Sequence, residues 1–224
     1  MKLAIVLLGL VALSVAAPQQ RGIVQNIVQQ EANKAQAELK NIVNQVNALT
    51  NKIQTEADNV ISAAKAKIEP AIEELESEIN KLIEKGGVVA DCAVKNRHDL
   101  DAFKSIAFDK LPNCASGLAE DIADVLGGVS GDITSLGTAI ADLGLIVSQC
   151  SVGGEAAAAV CAATQVGPIA SNILTIVGDA ISAVGIASGK APALVADVEY
   201  CSTNVVGNAL ATIGKFSEAV KQCA

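Results

Sequence analysis

Six cysteines and one histidine are the residues of this sequence whose side chains could do the most distinctive chemistry. The cysteines are Cys92, Cys114, Cys150, Cys161, Cys201 and Cys223, and their successive sequence numbers differ by 22, 36, 11, 40 and 22. Zinc and thiol redox sites need cysteines only two or a few residues apart, and His98 is the only imidazole that could join them. The sequence therefore predicts disulfides, and neither a metal nor a cofactor is expected.

The order of the cysteine intervals is nearly a palindrome, which restricts the pairing. A chain that folds back on itself brings together cysteines equidistant from the fold point, which predicts the nested pairs Cys92–Cys223, Cys114–Cys201 and Cys150–Cys161. A sequential set, Cys92–Cys114, Cys150–Cys161 and Cys201–Cys223, is equally symmetric and would close local hairpins. Both sets contain Cys150–Cys161, and the sequence leaves the choice between them open.

The other reactive side chains do not form a recognisable catalytic constellation, so no catalytic residue is expected. His98 lies in a polar run near a predicted helix junction and is interpreted as a surface residue. Gly127–Gly131 is similar to a phosphate loop but lacks the following lysine, which favours a turn. The net charge of −8 argues against a nucleic-acid partner, because phosphates require basic patches.

The segment 1–17 is predicted to be a signal peptide. Lys2 supplies a basic start, Leu3–Val15 is an apolar run, and Ala16 and Ala17 are small residues suited to cleavage. The run is shorter than the ~20 residues that a membrane-spanning helix needs. We therefore expect a secreted protein in an extracellular, oxidising compartment, where its cysteines form disulfides.

Residues 18–87 are predicted to form an amphipathic, coiled-coil-like helical segment. Apolar residues recur at steps of three and four, the spacing of a seam that packs against another helix. Because a narrow seam needs a partner to cover it, we interpret this seam as an interaction surface that packs against the second half of the chain or another copy, or else against an apolar surface such as lipid. Its residues are Leu39, Ile42, Val46, Leu49, Ile53, Val60, Ile68, Ile72, Leu75, Ile79 and Leu82. Pro70 predicts a break, with one helix to about Lys67 and a second from Pro70 to Lys85.

Residues 88–224 are predicted to form a disulfide-linked bundle of helices made of small residues. Glycine and proline interrupt apolar segments that show no strand-like alternation, which predicts short helices. The predicted ranges are 88–111, 115–126, 132–150, 155–165, 168–187 and 192–222. The fold class is therefore all-α, with a long N-terminal amphipathic helix followed by a disulfide-stapled bundle.

Glycine recurs at a spacing of seven in three of these helices, as Gly137–Gly144, Gly178–Gly185 and Gly207–Gly214. A step of seven returns to the same helix face, so each pair is expected to let two backbones approach closely inside the bundle. Residues 156–189 carry a single charge, Asp179. This stretch is expected to be buried in the bundle, with membrane insertion as the alternative.

The leader and the cysteine spacing resemble those of a group of secreted insect proteins. Met1–Val6 and Ala16–Pro18 carry the resemblance in the leader, and the cysteine steps of 22, 36 and 11 from Cys92 to Cys161 carry it in the body of the chain. In these features the chain resembles the TsetseEP-type (DUF725) domain. The resemblance implies an extracellular protein of gut or other secretions, with no catalytic residues to carry over.

These observations favour a secreted, non-enzymatic structural or interaction protein that acts through helix packing. Its expected partner is another copy of the chain, giving a homo-oligomer, or a different extracellular protein. An extracellular carrier of lipid or small apolar ligands is the first alternative. A membrane-active defence or venom component is the second.

Overall fold

A computed structural model describes residues 22–150 and 155–224, and the predicted signal peptide lies outside the described residues. The described residues form five α-helices and no strand, which confirms the predicted all-α fold. The helices are α1 (Ile23–Ile83), α2 (Gly87–Asn113), α3 (Leu118–Val125), α4 (Gly127–Gln149) and α5 (Glu155–Lys221).

Helix α1 passes through Pro70 without ending, so the predicted break at this proline is wrong. Pro70 cannot donate a hydrogen bond to the carbonyl of Ala66, and a proline in a helix interior costs about 3 kcal/mol. Pro70 lies on an exposed face, whereas Ile68 and Ile72 are only 0% and 1% exposed. Because burial of each isoleucine contributes about 1.5–3 kcal/mol, tertiary packing outweighs the effect of the proline.

Two glycines lie at the junction between α1 and α2. Gly86 and Gly87 have φ angles of 73° and 66°, in the left-handed region that residues with a Cβ rarely adopt. Helix α1 ends at Ile83 and α2 begins at Gly87. These two glycines therefore allow the chain to leave one helix and enter the next with very few connecting residues.

Helix α5 also continues through positions predicted to end helices. Three separate helices were expected over 155–222, but a single helix passes Gly167, Pro168 and Pro192. Both prolines are exposed, and a buried apolar seam continues past them on another side of the helix. The seam residues include Ala158, Ala162, Val166, Ile173, Val177, Ala180, Val184, Ala187, Ala191 and Val198. Packing of this seam maintains the helix through the prolines.

The described chain forms two compact units. Unit 1 comprises the described residues up to Ala48 together with Leu126–Ala187, and unit 2 comprises Leu49–Val125 and Ser188–Ala224. These units do not follow the division of the sequence at residue 87, because α1 and α5 each supply residues to both units.

Unit 2 has a core built from α1, α2 and α5. Its buried residues are Ala64, Ile68, Ile72, Leu75, Ile79 and Leu82 of α1, Ala93, Leu100, Ala107 and Leu111 of α2, and Val206, Ala209, Ile213 and Val220 of α5. Phe103 and Phe216 pack against this core with their ring centroids 5.8 Å apart. At the surface Lys104 Nζ donates a hydrogen bond to Glu76 Oε1 at 3.0 Å, which connects α2 to α1.

Unit 1 buries one face each of α1, α4 and α5. Its largest fully buried side chains are Ile42 of α1 and Leu136, Leu143 and Ile146 of α4, which are at most 2% exposed. The buried residues that α5 contributes to this unit are mainly alanine and valine. Since the described part of unit 1 contains no aromatic residue, its core consists of aliphatic side chains together with the buried Cys150.

The three disulfides are nested, so the nested pairing is confirmed and the sequential pairing is wrong. Cys92–Cys223 and Cys114–Cys201 lie in unit 2, with Cα–Cα distances of 5.7 and 5.6 Å, and Cys150–Cys161 lies in unit 1. The two outer links fasten both ends of α2 to α5, because Cys92 lies near the start of α2 and Cys114 directly follows its last residue. They therefore hold the helices that form the core of unit 2.

Loss of the outermost link should destabilise the protein. With Cys114–Cys201 intact, Cys92–Cys223 closes an effective loop of roughly 46 residues, for which the chain-entropy relation gives about 4 kcal/mol. We expect the Cys92→Ser/Cys223→Ser variant to lose about this much free energy of unfolding in a denaturant titration. Wild-type protein reduced at all three links is the control and should lose more. A loss below about 1 kcal/mol would show that this link does not constrain the unfolded chain.

Candidate functional site

The seam predicted as an interaction surface is covered by the chain itself. Leu39 and Val60 are partly buried, and the other nine residues are at most 8% exposed. Those nine are Ile42, Val46, Leu49, Ile53, Ile68, Ile72, Leu75, Ile79 and Leu82. The part from Ile68 to Leu82 belongs to the three-helix core of unit 2. A separate partner would therefore have to bind a different surface.

A different helix face in unit 1 is exposed and uncharged, and we call it the outer face. It lies on α5, and its eight residues are Val160, Thr164, Gly167, Ser171, Leu174, Gly178, Ile181 and Gly185. All eight are exposed, and the three large apolar side chains Val160, Leu174 and Ile181 are 68%, 73% and 45% exposed. Because its residues alternate steps of four and three, the outer face is a second heptad seam on the same helix.

Little charge lies in the stretch of sequence that carries the outer face. The sequence contains no lysine, arginine or histidine between Leu111 and Gly189, and Asp179 is the only charged residue from Ala156 to Ala187. The expected burial of this stretch is therefore correct for one side of α5 only, because the seam is buried and the outer face is not. Isolated exposed apolar residues are common in soluble proteins, but a row of them on one uncharged helix face makes this face the candidate functional surface.

The high mean hydropathy of α5 agrees with the exposure of apolar residues on the outer face. Ala156–Lys221 contains an 18-residue stretch with a mean hydropathy of 1.7, which by length and composition alone could cross a membrane. A core helix of a soluble protein can be this apolar when it is mostly buried, but only 22% of this stretch is buried. The excess apolar surface is thus on the outside, although Asn172 and Asp179 would be costly in hydrocarbon.

The heptad-spaced glycines do not mark close contacts within the bundle. A Cβ built on Gly144, Gly178, Gly185, Gly207 or Gly214 would meet no atom within 4 Å in residues 22–150 and 155–224. The expectation that these glycines let helices of the same chain approach closely is therefore wrong. Gly137 differs from them because it is buried in α4. The seven-residue spacing correctly places the glycines of each pair on one helix face, but in α5 that face points to solvent.

The two best-formed cavities lie in unit 2, and both are shallow clefts. One of about 250 Å³ is lined by Gln54, Asp58 and Leu118, with two alanines, and the other of about 120 Å³ lies between α1 and α5 beside Ser202. Pockets for drug-sized ligands usually measure about 300–1,000 Å³ and enclose most of the ligand. Neither cleft therefore offers a preformed site for a lipid.

The other candidates for chemistry are dispersed. The described residues contain no group of three or more His, Cys, Asp or Glu side chains that could hold a metal ion. His98 is exposed on α2, and all six cysteines are in disulfides. Gly127–Gly131 forms the first turn of α4, so the predicted turn at this sequence is wrong.

Comparisons of the chain with protein-family profiles, with curated proteins and with solved structures find no match. The class of protein is therefore described from the structure alone. It is an all-α protein with three nested disulfides, whose two long helices use one face for folding. On α5 a second, uncharged face remains exposed.

Alanine at the outer-face glycines should stabilise the protein. Gly178→Ala and Gly185→Ala each add a Cβ in open space and remove the helix penalty of glycine, so each should raise the free energy of unfolding by about 1 kcal/mol. Thermal or denaturant unfolding at low protein concentration measures this change. Gly144→Ala in α4 is the matched control and should give the same gain. A loss of stability at Gly178 would instead indicate a packed contact at this position.

A buried serine in unit 2 gives a further prediction. Ser202 is 1% exposed, and its hydroxyl has no hydrogen-bond partner within the described part of the chain. An unsatisfied buried polar group costs about 1–3 kcal/mol, so Ser202→Ala should raise the free energy of unfolding by at least about 1 kcal/mol. The exposed Ser188→Ala on the same helix is the control, and it should gain only the ~0.5 kcal/mol of helix propensity. Equal gains in the two variants would show that Ser202 is not strained by burial.

Proposed function

We infer that the protein is a secreted, non-enzymatic structural or interaction protein that acts by helix packing through the outer face of α5. The single observation that carries this proposal is the exposure of Val160, Leu174 and Ile181 on an uncharged heptad seam. A water-exposed seam of this kind gains free energy when another apolar surface covers it. The seam of α1 does not serve this function, because it is already buried in the chain.

Three disulfides and the N-terminal leader support an extracellular location. Disulfides form and persist in oxidising compartments, and all six cysteines of the described chain are paired. The resemblance to secreted insect proteins of the TsetseEP type supports the same location. It adds no site residue to the proposal, because the resemblance rests on the leader and the cysteine spacing.

The two alternatives have less support. A carrier of lipid or small apolar ligands needs an enclosed apolar cavity, and the two clefts of unit 2 are smaller than usual ligand pockets. A membrane-active component is favoured by the apolar, exposed α5. It is opposed by Asn172 and Asp179, and by the lack of basic residues between Leu111 and Gly189, since basic residues there would attract the protein to anionic lipids.

The test of this function is the size of the complex that contains the protein in the fluid to which it is exported. Labelled wild-type chain added to that fluid should sediment above the monomer mass, and Leu174→Glu should return it to the monomer mass, because a carboxylate cannot be buried without a partner. Leu210→Glu is the matched control, since Leu210 is an exposed leucine of α5 in unit 2, away from the outer face. Wild-type chain that sediments as a monomer in that fluid and in purified form would contradict the proposal.

A further inference from the structure

We propose that the outer face of α5 binds the outer face of a second copy of the chain, with the two helices antiparallel. This inference rests on the proposed function, and it names the partner. The twofold axis passes beside the peptide bond between Asn172 and Ile173. The contact is isologous, so each outer-face residue of one copy meets a different outer-face residue of the other.

The arrangement of large and small residues on the outer face is self-complementary. With the axis at this position, Val160 faces Gly185, Thr164 faces Ile181, Gly167 faces Gly178, and Ser171 faces Leu174. Each large side chain is therefore opposite a glycine, serine or threonine of the other copy, and Gly167 with Gly178 is the one pairing in which two glycines meet. No atom of the described residues lies within 4 Å of a Cβ built on Gly167, Gly178 or Gly185, so in this part of the chain these positions are free to receive the side chains of a partner helix.

A parallel pair would not have this fit. It would place Leu174 against Leu174, Ile181 against Ile181 and Val160 against Val160, so that each large residue meets an identical large one. It would also place the two Asp179 residues at the same level along the helix pair. In the antiparallel pair they are about 20 Å apart along the axis, from 13 residues at about 1.5 Å each, which exceeds the Debye length of about 8 Å at physiological salt.

The negative net charge of the chain favours self-association through an uncharged surface such as the outer face. Two copies that each carry a net charge of −8 repel each other, and the repulsion is smallest where the contact itself is uncharged. The outer face contains no charged residue. It can therefore meet its own copy without bringing like charges together or removing a charge from water.

The residue types on the outer face favour a helix over a lipid surface. Lipid binding by a helix gains mainly from large apolar side chains, and five of the eight outer-face residues are glycine, serine or threonine. Small residues instead favour a second helix, because they let the two backbones approach closely.

The size of the contact predicts a weak dimer. Residues 160–185 form a helix segment roughly 39 Å long and about 10 Å wide, so the pair buries on the order of 800 Å² in total. This area is about half of the roughly 1600 Å² that a standard stable interface buries. We therefore expect a dimer that dissociates in the micromolar range.

Sedimentation velocity of the purified, oxidised mature chain at about 1 to 500 μM tests the proposal, since this range brackets a micromolar Kd. The wild type should convert from monomer to dimer, and Ile181→Glu should raise the Kd at least roughly tenfold, because it removes one of the three large apolar side chains of the outer face and buries a carboxylate in the contact. Thr164→Lys combined with Ile181→Glu should recover most of the lost affinity, since each lysine then faces a glutamate of the other copy. Leu210→Glu is the control and should dimerise like the wild type, and circular dichroism checks that every variant remains folded.

Several results would overturn the proposal. The first is a wild type that remains a monomer throughout this concentration range. The second is an Ile181→Glu variant that dimerises as strongly as the wild type, and the third is a Thr164→Lys/Ile181→Glu variant that shows no recovery of affinity. Flotation with phosphatidylcholine vesicles identifies lipid as the occupant if the monomeric protein floats. If the purified chain is monomeric but the chain in its native fluid forms a complex that Leu174→Glu abolishes, the second copy is excluded and the proposed function stands.

Discussion

The structure depends on the burial of one apolar seam along each of its two long helices. Helix α1 has 61 residues and α5 has 67. The apolar seam of such a long helix would be unfavourable in water, so the helix depends on tertiary packing that covers the seam. Within each unit the seams are covered by other helices of the same chain, α2 in unit 2 and α4 in unit 1. Helix continuity follows from this burial, because seam residues are buried on both sides of Pro70 and of Pro168.

The disulfides compensate for the small side chains of the core. A core of alanine, valine and isoleucine buries less area per residue than one with aromatic side chains, so it gains less from the hydrophobic effect. The three disulfides offset this by restricting the unfolded chain. Their placement fits the need: Cys92–Cys223 and Cys114–Cys201 fasten α2 to α5, and Cys150–Cys161 joins the end of α4 to the first turns of α5 in the unit without aromatic residues.

Local sequence signals predicted the fold class well and the helix boundaries less well. The three-and-four spacing of apolar residues indicated the helices and the seam of α1, and the near-palindrome of cysteines allowed the nested pairing. Pro70 and the Gly167–Pro168 pair misled the prediction, because the penalty of a proline is local whereas the burial that outweighs it depends on tertiary contacts. The choice between nested and sequential disulfides needed the same tertiary information, since both sets have the same symmetry in sequence.

The glycines of α5 show why function was harder to predict than fold. Spacing alone establishes that Gly178 and Gly185 share a face, but it cannot show whether that face is turned to the core or to solvent. The structure resolves this, because α5 has two heptad seams and folding uses only one. Glycines on an exposed helix face lower helix stability without improving the packing of the monomer. The outer face thus lowers the stability of the monomer and carries no charge, and contact with another molecule explains such a face more simply than folding does. The buried seam of α5 is explained by folding, and this difference distinguishes the candidate functional surface from the rest of the helix.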